Sequence, residues 1–198
     1  MSADWLKFLF TFGKLFSVPY SVLMRLRAEL YAKGIVPSVK LSLPVISVGN
    51  LTMGGTGKTP VGIYIVQLLC RKYRPAVISR GYGGKSKELV NVVSDGRGIF
   101  LGADAAGDEP VLLAQALPGV PIITGAKRVL TGRYIVSKAL ADLIIMDDGF
   151  QHLALARDLN LALFSGDELL GDGWVFPGGV LREPPSALKR ADAFLITG

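Results

Sequence analysis

The stretch from residue 43 to residue 59 constrains this chain more than any other. Residues 43–48 form an apolar run of strand type that leads into Thr52-Met53-Gly54-Gly55-Thr56-Gly57-Lys58-Thr59. Glycines allow a tight turn whose successive backbone N–H groups point inward at phosphate oxygens, and a following helix adds its positive N-terminal end. Lys58 can reach the β- and γ-phosphates of a nucleotide, and the Thr59 hydroxyl can meet Mg²⁺. All eight residues from Thr52 to Thr59 are therefore candidates for holding the nucleotide. Thr52 stands where the usual motif has its first glycine, while Gly54 and Gly55 keep the loop flexible.

From residue 40 onward, short β-branched runs alternate with helical stretches. Strands are expected at 43–48, 75–79, 89–94, 120–124, 143–146, 159–164 and 193–197. Helices are expected from the phosphate loop to residue 73, at 110–117 and at 127–141. Such alternation requires crossover connections, which places the chain among α/β folds with a mostly parallel sheet covered on both faces. With its phosphate loop, this is a P-loop NTPase-like three-layer αβα arrangement. A basic, glycine-rich loop at 80–87 and a loop dense in Gly and Pro at 166–185 complete the pattern.

Two acidic pairs stand out. Leu143-Ile144-Ile145-Met146 ends in Asp147-Asp148, the form of a Walker B strand whose carboxylate serves a nucleotide-bound Mg²⁺. In an open parallel sheet, ligands bind outside the carboxyl ends of the strands, which brings Asp147 and Asp148 to the crevice of Lys58. The second pair, Asp108-Glu109, lies between Gly107 and Pro110. Asp followed by Pro is a common helix-start signal, so capping and catalysis are both open for Asp108 on the residues alone.

Composition narrows the partners. The 198 residues are half hydrophobic, and the mean hydropathy of +0.42 is high for a soluble domain. Lys and Arg outnumber Asp and Glu by 22 to 16, which favours anionic partners such as phosphates or acidic headgroups. No basic run with interleaved aromatics is present, which excludes a nucleic-acid reading; no obligate protein partner is implied. Cys70 is the only cysteine, so no internal disulfide forms, and its apolar neighbours point to a small core residue. In helical projection Trp5, Phe8, Leu9, Phe12, Leu15 and Phe16 share one face and Lys7, Thr11 and Lys14 another, with Pro19 expected to kink or interrupt the helix. Lys14 and Pro19 argue against a spanning helix or a signal peptide. Residues 1–34 read as an interfacial, membrane-associated helix or as an ordinary helix packed on the domain, with the P-loop domain at 40–198.

The motifs taken together resemble the tetraacyldisaccharide 4′-kinases, the lipid A kinases of Gram-negative bacteria. The resemblance runs through Ser47-Val48-Gly49-Asn50-Leu51-Thr52, Gly54-Gly55-Thr56-Gly57-Lys58-Thr59-Pro60, Ser79-Arg80-Gly81-Tyr82-Gly83 and Gly107-Asp108-Glu109-Pro110. It continues through Asp147-Asp148-Gly149-Phe150-Gln151-His152, Pro177-Gly178-Gly179 and Leu181-Arg182-Glu183-Pro184. It implies transfer of the γ-phosphate of ATP, with Mg²⁺, to the 4′-hydroxyl of an acylated glucosamine disaccharide 1-phosphate at the cytoplasmic face of the bacterial inner membrane. It implies that Asp108 accepts the hydroxyl proton and that Glu109, with Thr59 and Asp147, is linked to the metal. Asp147 and Asp148 would organise metal and substrate beside Lys58, with Arg80, Gln151, Arg182 and Glu183 on the substrate side.

Chains of that family are longer and carry a C-terminal lobe with a histidine partner for the catalytic Asp. A truncated, membrane-associated nucleotide-binding module with little turnover is the alternative expectation. His152, the only histidine, is expected to be a packed structural residue. A GTPase would carry an Asn-Lys-x-Asp motif, and a partition-type ATPase a lysine at Met53; neither is present.

Overall fold

A computed structural model describes residues 3–54, 57–167 and 169–198. Its contacts divide the chain into two compact units, one of Val39–Gly49 and Lys58–Asn160, the other of Met1–Ser38, Asn50–Gly57 and Leu161–Gly198.

The larger unit is built on β1 (Val45–Asn50), β2 (Pro75–Ser79), β3 (Asn91–Asp95), β4 (Pro121–Thr124) and β5 (Leu143–Asp147), in the order β3-β4-β2-β5-β1. The pairings of β1 with β5, β5 with β2 and β2 with β4 are parallel; β3 runs antiparallel to β4. Strands β2, β4 and β5 are buried at every position. That is why they read as continuous apolar runs without alternation, as strands covered on both faces must. The helices α2 (Lys58–Leu69), α3 (Ala103–Ala106), α4 (Asp108–Ala116) and α5 (Arg128–Ser137) fill the connections. The fold is thus a three-layer α/β arrangement with a mostly parallel sheet. Val45, Ile78, Ile123, Ile135, Ile144, Met146 and Leu155 belong to one core cluster, and each such fully buried side chain contributes roughly 1.5–3 kcal/mol relative to exposure.

Strand register sets the ends of β1 and β5 level with each other. Val45 pairs with Ile144 and Val48 with Asp147, so the last residues of β1 lie beside Asp147, the acid that ends β5. The chain then turns back through Gly149, whose backbone N–H donates to the Val48 carbonyl at 3.2 Å. Gly49 is packed against this turn, with a Cβ there coming 2.7 Å from the Phe150 nitrogen.

In the smaller unit, β6 (Leu159–Ser165) pairs in parallel with β7 (Ala193–Thr197), from Leu161 opposite Ala193 to Ser165 opposite Thr197. Helix α1 (Ala3–Ala32) runs through Pro19 without interruption. An exposed proline removes one N–H, which the helix on either side tolerates, so the expected break does not occur. Gly34, at φ +70°, ends the helix in the left-handed conformation that favours glycine. Gly13 and Ser17 are buried, and a Cβ at Gly13 would lie 2.1 Å from the Pro177 carbonyl oxygen. The 3₁₀ turn Pro185–Arg190 precedes β7.

Other differences from expectation are local. Cys70 is exposed rather than in the core, because α2 ends at Leu69 and Cys70 falls in the turn beyond it. Helix α5 ends at Ser137, short of residue 141, and Ala139 takes a positive φ of 50° in the next turn. His152 is half-buried in the turn after β5, where its N–H donates to the Gly149 carbonyl at 2.9 Å.

A Gly49→Ala substitution is expected to destabilise the chain by about 1–3 kcal/mol, since backbone and not a flexible side chain meets the added methyl. Urea unfolding followed by circular dichroism measures it, and an unchanged midpoint contradicts the packing described.

Candidate functional site

The glycine loop is anchored at its entry mainly by backbone, with the Asn50 side-chain amide also donating to the Thr52 hydroxyl at 3.2 Å. Thr52 bridges Leu181 in antiparallel fashion, the Met53 N–H donates to the Val180 carbonyl at 2.7 Å, and the Arg182 N–H donates to the Leu51 carbonyl at 2.8 Å. Three consecutive loop residues are thereby zipped to 180–182, which brings Arg182 beside the start of the loop. Gly54 takes φ +124° and Gly57 φ +67°, values that any other residue reaches only with strain. Thr52 and Met53 fall in the same anchored stretch, whereas Gly55 and Thr56 lie outside the described residues.

The larger unit holds most of the charged candidates. Lys58 and Thr59 open α2, where orphan N–H groups and the helix dipole favour an anion. The Lys58 ammonium lies 3.8 Å from Asp148 Oδ1. The Thr59 hydroxyl donates to Glu109 Oε1 at 2.7 Å. Glu109 is the second residue of α4, so one hydrogen bond joins the starts of two helices. Asp108 does not cap α4: the helix begins with Asp108 itself, Gly107 occupies the cap position at φ +90°, and no side-chain cap bond forms. The carboxylates of both residues instead sit in the first turn, where negative charge is favoured, and Asp108 is exposed.

The acids after β5 differ sharply from each other. Asp147 is only 4% exposed, and its Oδ2 has no hydrogen-bond partner among the described residues. Burial first, then the neighbouring carboxylates of Glu109 and Asp148, push its pKa up to about 7 against the opposing pull of Lys58. Asp148 adopts φ +47°, an unfavourable conformation for a non-glycine residue. A methyl on Gly149 would meet Met146 and the Ser47 hydroxyl at 2.7 Å, so this corner has no spare room.

Arg128 does not stand out in the sequence. It is the first residue of α5 and only 6% exposed. Burial and the nearby positive charge of Arg80 depress its pKa, while Asp148 and Asp147 counteract that. The available signal is Gly125 after a buried strand, followed by two basic residues opening a helix.

The basic loop interlocks with the corner that carries Asp108. A Cβ on Gly107 would fall 2.2 Å from the Tyr82 carbonyl oxygen, and one on Gly84 would fall 2.5 Å from that of Ala105. The Lys85 N–H donates to the Asp104 carbonyl at 2.9 Å and the Ser86 N–H to that of Ala105 at 3.1 Å. Arg80, Tyr82, Lys87, Asn91 and Lys127 border a cavity of about 380 Å³ there. Three basic residues, Arg80, Lys87 and Lys127, against one acid, Glu88, stand among glycines and neutral residues there, which suits an anionic, hydroxyl-bearing ligand.

Gln151 lies in the turn closed by His152, its side chain half-buried. Glu183, 2% exposed, pairs with Arg190 at 2.5 Å in the smaller unit. The larger unit therefore gathers Lys58, Thr59, Glu109, Asp147, Asp148 and Arg128, with Asp108 at the same helix start as Glu109. The smaller unit gathers Thr52, Met53 and Arg182.

Known proteins match nearly the whole chain. The family model described as tetraacyldisaccharide-1-P 4′-kinase matches residues 9–198. A tetraacyldisaccharide 4′-kinase of Desulfotalea psychrophila is 56% identical over 96% of this chain and 55% of its own length. One of Geobacter metallireducens is 52% identical over 91% of this chain and 54% of its own. A crystal structure of LpxK from Aquifex aeolicus, described as in complex with ATP, superposes with a TM-score of 0.86. It is 41% identical and covers 92% of this chain and 56% of that one. The chain spans about half the length of the curated relatives it matches. By the extent of these matches and the site they enclose, the chain belongs to the tetraacyldisaccharide-1-P 4′-kinase family.

Proposed function

We propose that this chain carries the nucleotide half of a lipid-sugar kinase, which transfers the γ-phosphate of ATP to the 4′-hydroxyl of a tetraacyl glucosamine disaccharide 1-phosphate. The observation that carries the reading is the Thr59–Glu109 hydrogen bond with Lys58 and the buried Asp147 close by. A hydroxyl, two acids and an ammonium at a helix N-terminus are the groups that a metal-bound triphosphate requires.

The fit to Mg²⁺ can be judged from Asp147. A carboxylate buried without a partner at Oδ2, and crowded by two other acids, is a position that a divalent cation stabilises. No group of three or more His, Cys, Asp or Glu side chains with metal-binding geometry occurs among the described residues. Mg²⁺ bound with a nucleotide needs only one or two carboxylates, the rest of its octahedron being water and phosphate oxygens. Thr59, Glu109 and Asp147 would hold it. When bound, the ion supplies charge neutralisation at the β- and γ-phosphates.

The chain's own residues do the rest. The α2 terminus binds the phosphates, and the Lys58 ammonium leaves Asp148 to meet the β- and γ-phosphate oxygens. Arg128, held beside Asp147 and Asp148, adds positive charge where negative charge spreads in the transition state. Asp108, exposed at the start of α4, accepts the proton of the attacking hydroxyl. Arg80, Gln151, Arg182 and Glu183 serve the substrate side, Glu183 through its hold on Arg190.

The lipid nature of the acceptor places the reaction at a membrane surface. No helix among the described residues is long and apolar enough to cross a membrane. Helix α1 nevertheless exposes Phe12, Leu15, Phe16, Val22, Leu23 and Leu26 at spacings of three and four on either side of Pro19. That face suits binding in the plane of the cytoplasmic leaflet of the inner membrane.

Phosphate transfer from labelled ATP to the lipid disaccharide tests the reading. Asp108→Asn is expected to lower the rate by about 10²–10⁴ while leaving ATP binding intact, and Lys58→Ala to weaken both. Equal labelling by wild type and Asp108→Asn removes Asp108 as the base. No labelling by any form, with ATP still bound, reduces the chain to a nucleotide-binding module.

Asp147 gives a separate check. In the folded chain it keeps its proton up to pH about 7, against 3.8 for an ordinary aspartate. The folded state thus binds more protons between those values, and stability falls as pH rises through them. Asp147→Asn removes that fall, so without metal it is expected to exceed the wild type in stability at pH 8 by up to about 4 kcal/mol, with the difference gone near pH 4. Mg²⁺ at pH 8 is expected to raise the wild-type melting temperature and to leave that of Asp147→Asn nearly unchanged. Thermal unfolding with and without MgCl₂ measures both.

A further inference from the structure

The loop that α1 packs on has an apolar surface of its own. Residues 174–176 alternate outward, inward, outward: Trp174 is 37% exposed, Val175 2% and Phe176 41%. Leu169, on the same loop, is half exposed. An aromatic residue pair presented outward in this way costs solvation free energy in water, so the geometry must be imposed by something else.

The backbone imposes it. The Phe176 N–H donates to the Leu181 carbonyl at 2.8 Å, the Leu181 N–H to the Trp174 carbonyl at 3.1 Å, and the Gly178 N–H to the Val175 carbonyl at 2.9 Å. Val175 also bridges Leu181. Gly179 fits against Trp174 so closely that a Cβ would lie 2.5 Å from the Trp174 carbonyl oxygen. Leu181 is itself fully buried and joined to Thr52. Both rings are thus carried on a segment held at each residue, and they cannot fold inward without breaking these bonds.

The same loop is fixed to α1. A Cβ on Gly178 would lie 2.9 Å from both Lys14 Cα and Ser17 Cβ, and Gly13 meets Pro177 as closely. Small residues on both sides let helix and loop touch backbone to backbone. The Lys14 ammonium stands 5.5 Å from the centre of the Trp174 ring. Lys14 borders the helix face on which Leu15 is 78% exposed and Phe12 and Phe16 are more than half exposed. Trp174 therefore flanks that face across a single lysine.

We propose that residues 169–176 form a second membrane-contact element, seating Trp174 and Phe176 in the headgroup region of an anionic bilayer beside α1. The occupant is set by the chemistry of the surface. Tryptophan prefers the boundary between acyl chains and water, because its ring is apolar and its N–H needs a polar partner. A lysine stacked on that ring places a cation at phosphate depth, and the chain as a whole carries a net charge of +6. The exposed Asp172 next to the aromatics limits the seat to the headgroup level, since a carboxylate entering the hydrocarbon is costly. The proposal rests on the membrane reading of α1 and adds to it a rigid second contact that fixes how α1 is rotated about its axis at the surface.

The chain has two tryptophans, so Trp5→Phe leaves Trp174 as the sole indole reporter. The test mixes this variant with phosphatidylglycerol-rich vesicles whose acyl chains carry bromine at shallow or deep positions. A blue shift on binding, with stronger quenching by shallow than by deep bromine, is expected. Trp174→Ser with Phe176→Ser is expected to weaken vesicle co-sedimentation about tenfold with an unchanged circular dichroism spectrum, while Phe100→Ser, an exposed aromatic in the other unit, leaves it unchanged. Co-sedimentation with an unshifted, unquenched Trp174 overturns the proposal and leaves α1 as the contact. Failure to co-sediment at all overturns both, and a Leu15→Ser, Phe16→Ser variant that still binds through the loop would overturn the α1 reading alone.

Discussion

Carboxylates that repel one another are held together here by the sheet. Parallel pairing of β1 with β5 sets Val48 opposite Asp147, and the Thr59–Glu109 bond draws the start of α4 to the start of α2. Glu109 and Asp148, both partly exposed, are then brought near the buried Asp147. Burial, and then the charges of Glu109 and Asp148, raise the pKa of Asp147. The folded chain meets this by keeping Asp147 protonated to about neutral pH and by setting Lys58 and Arg128 near the same acids. Acids and cations are thus set against one another in one corner of the larger unit.

Charge plays two roles in the chain. Pairs such as Arg74 with Asp142, in bidentate contact at 2.7 and 3.3 Å, are exposed and satisfied; they fasten β2 to β5 where the strands begin. Lys40 and Asp158 meet at the surface at 3.6 Å, and Asp158 also accepts from the Val45 N–H at 2.9 Å. Such groups contribute modestly to stability and ask nothing of a ligand. At the opposite end of β5, Asp147 is buried, and that burial together with Glu109 and Asp148 raises its pKa. The larger unit thus sets exposed, paired charges where the strands begin and a partly buried cluster of acids and cations where they end.

Much of this is legible in residue order. Strands β2 and β7 coincide with their expected bounds, because Pro75 and the Gly-Pro loop give sharp local stops. The glycine loop, Lys58, Thr59 and the two acids after β5 are marked by spacing alone. What spacing does not give is contact between distant segments. Glu109 is only one of an acidic pair on the residues alone, and its hydrogen bond from Thr59 comes from across the fold. Arg128 gives a weak signal because its importance lies in burial beside Asp147, a property of packing rather than of neighbours in sequence. Cys70 departs from expectation for a related reason: apolar neighbours say that a helix has a buried face, not which residue ends it. Pro19 departs because it is exposed and removes a single N–H, which the helix on either side tolerates.

The close approach of Gly107 to the Tyr82 carbonyl has a mechanical meaning. Two main chains in van der Waals contact, with no side chain between them to act as a cushion, transmit displacement almost undiminished. A shift of the Arg80–Gly84 segment would therefore carry the first turn of α4 along with it. Asp108 and Glu109, neighbours in that turn, would travel in a single stroke.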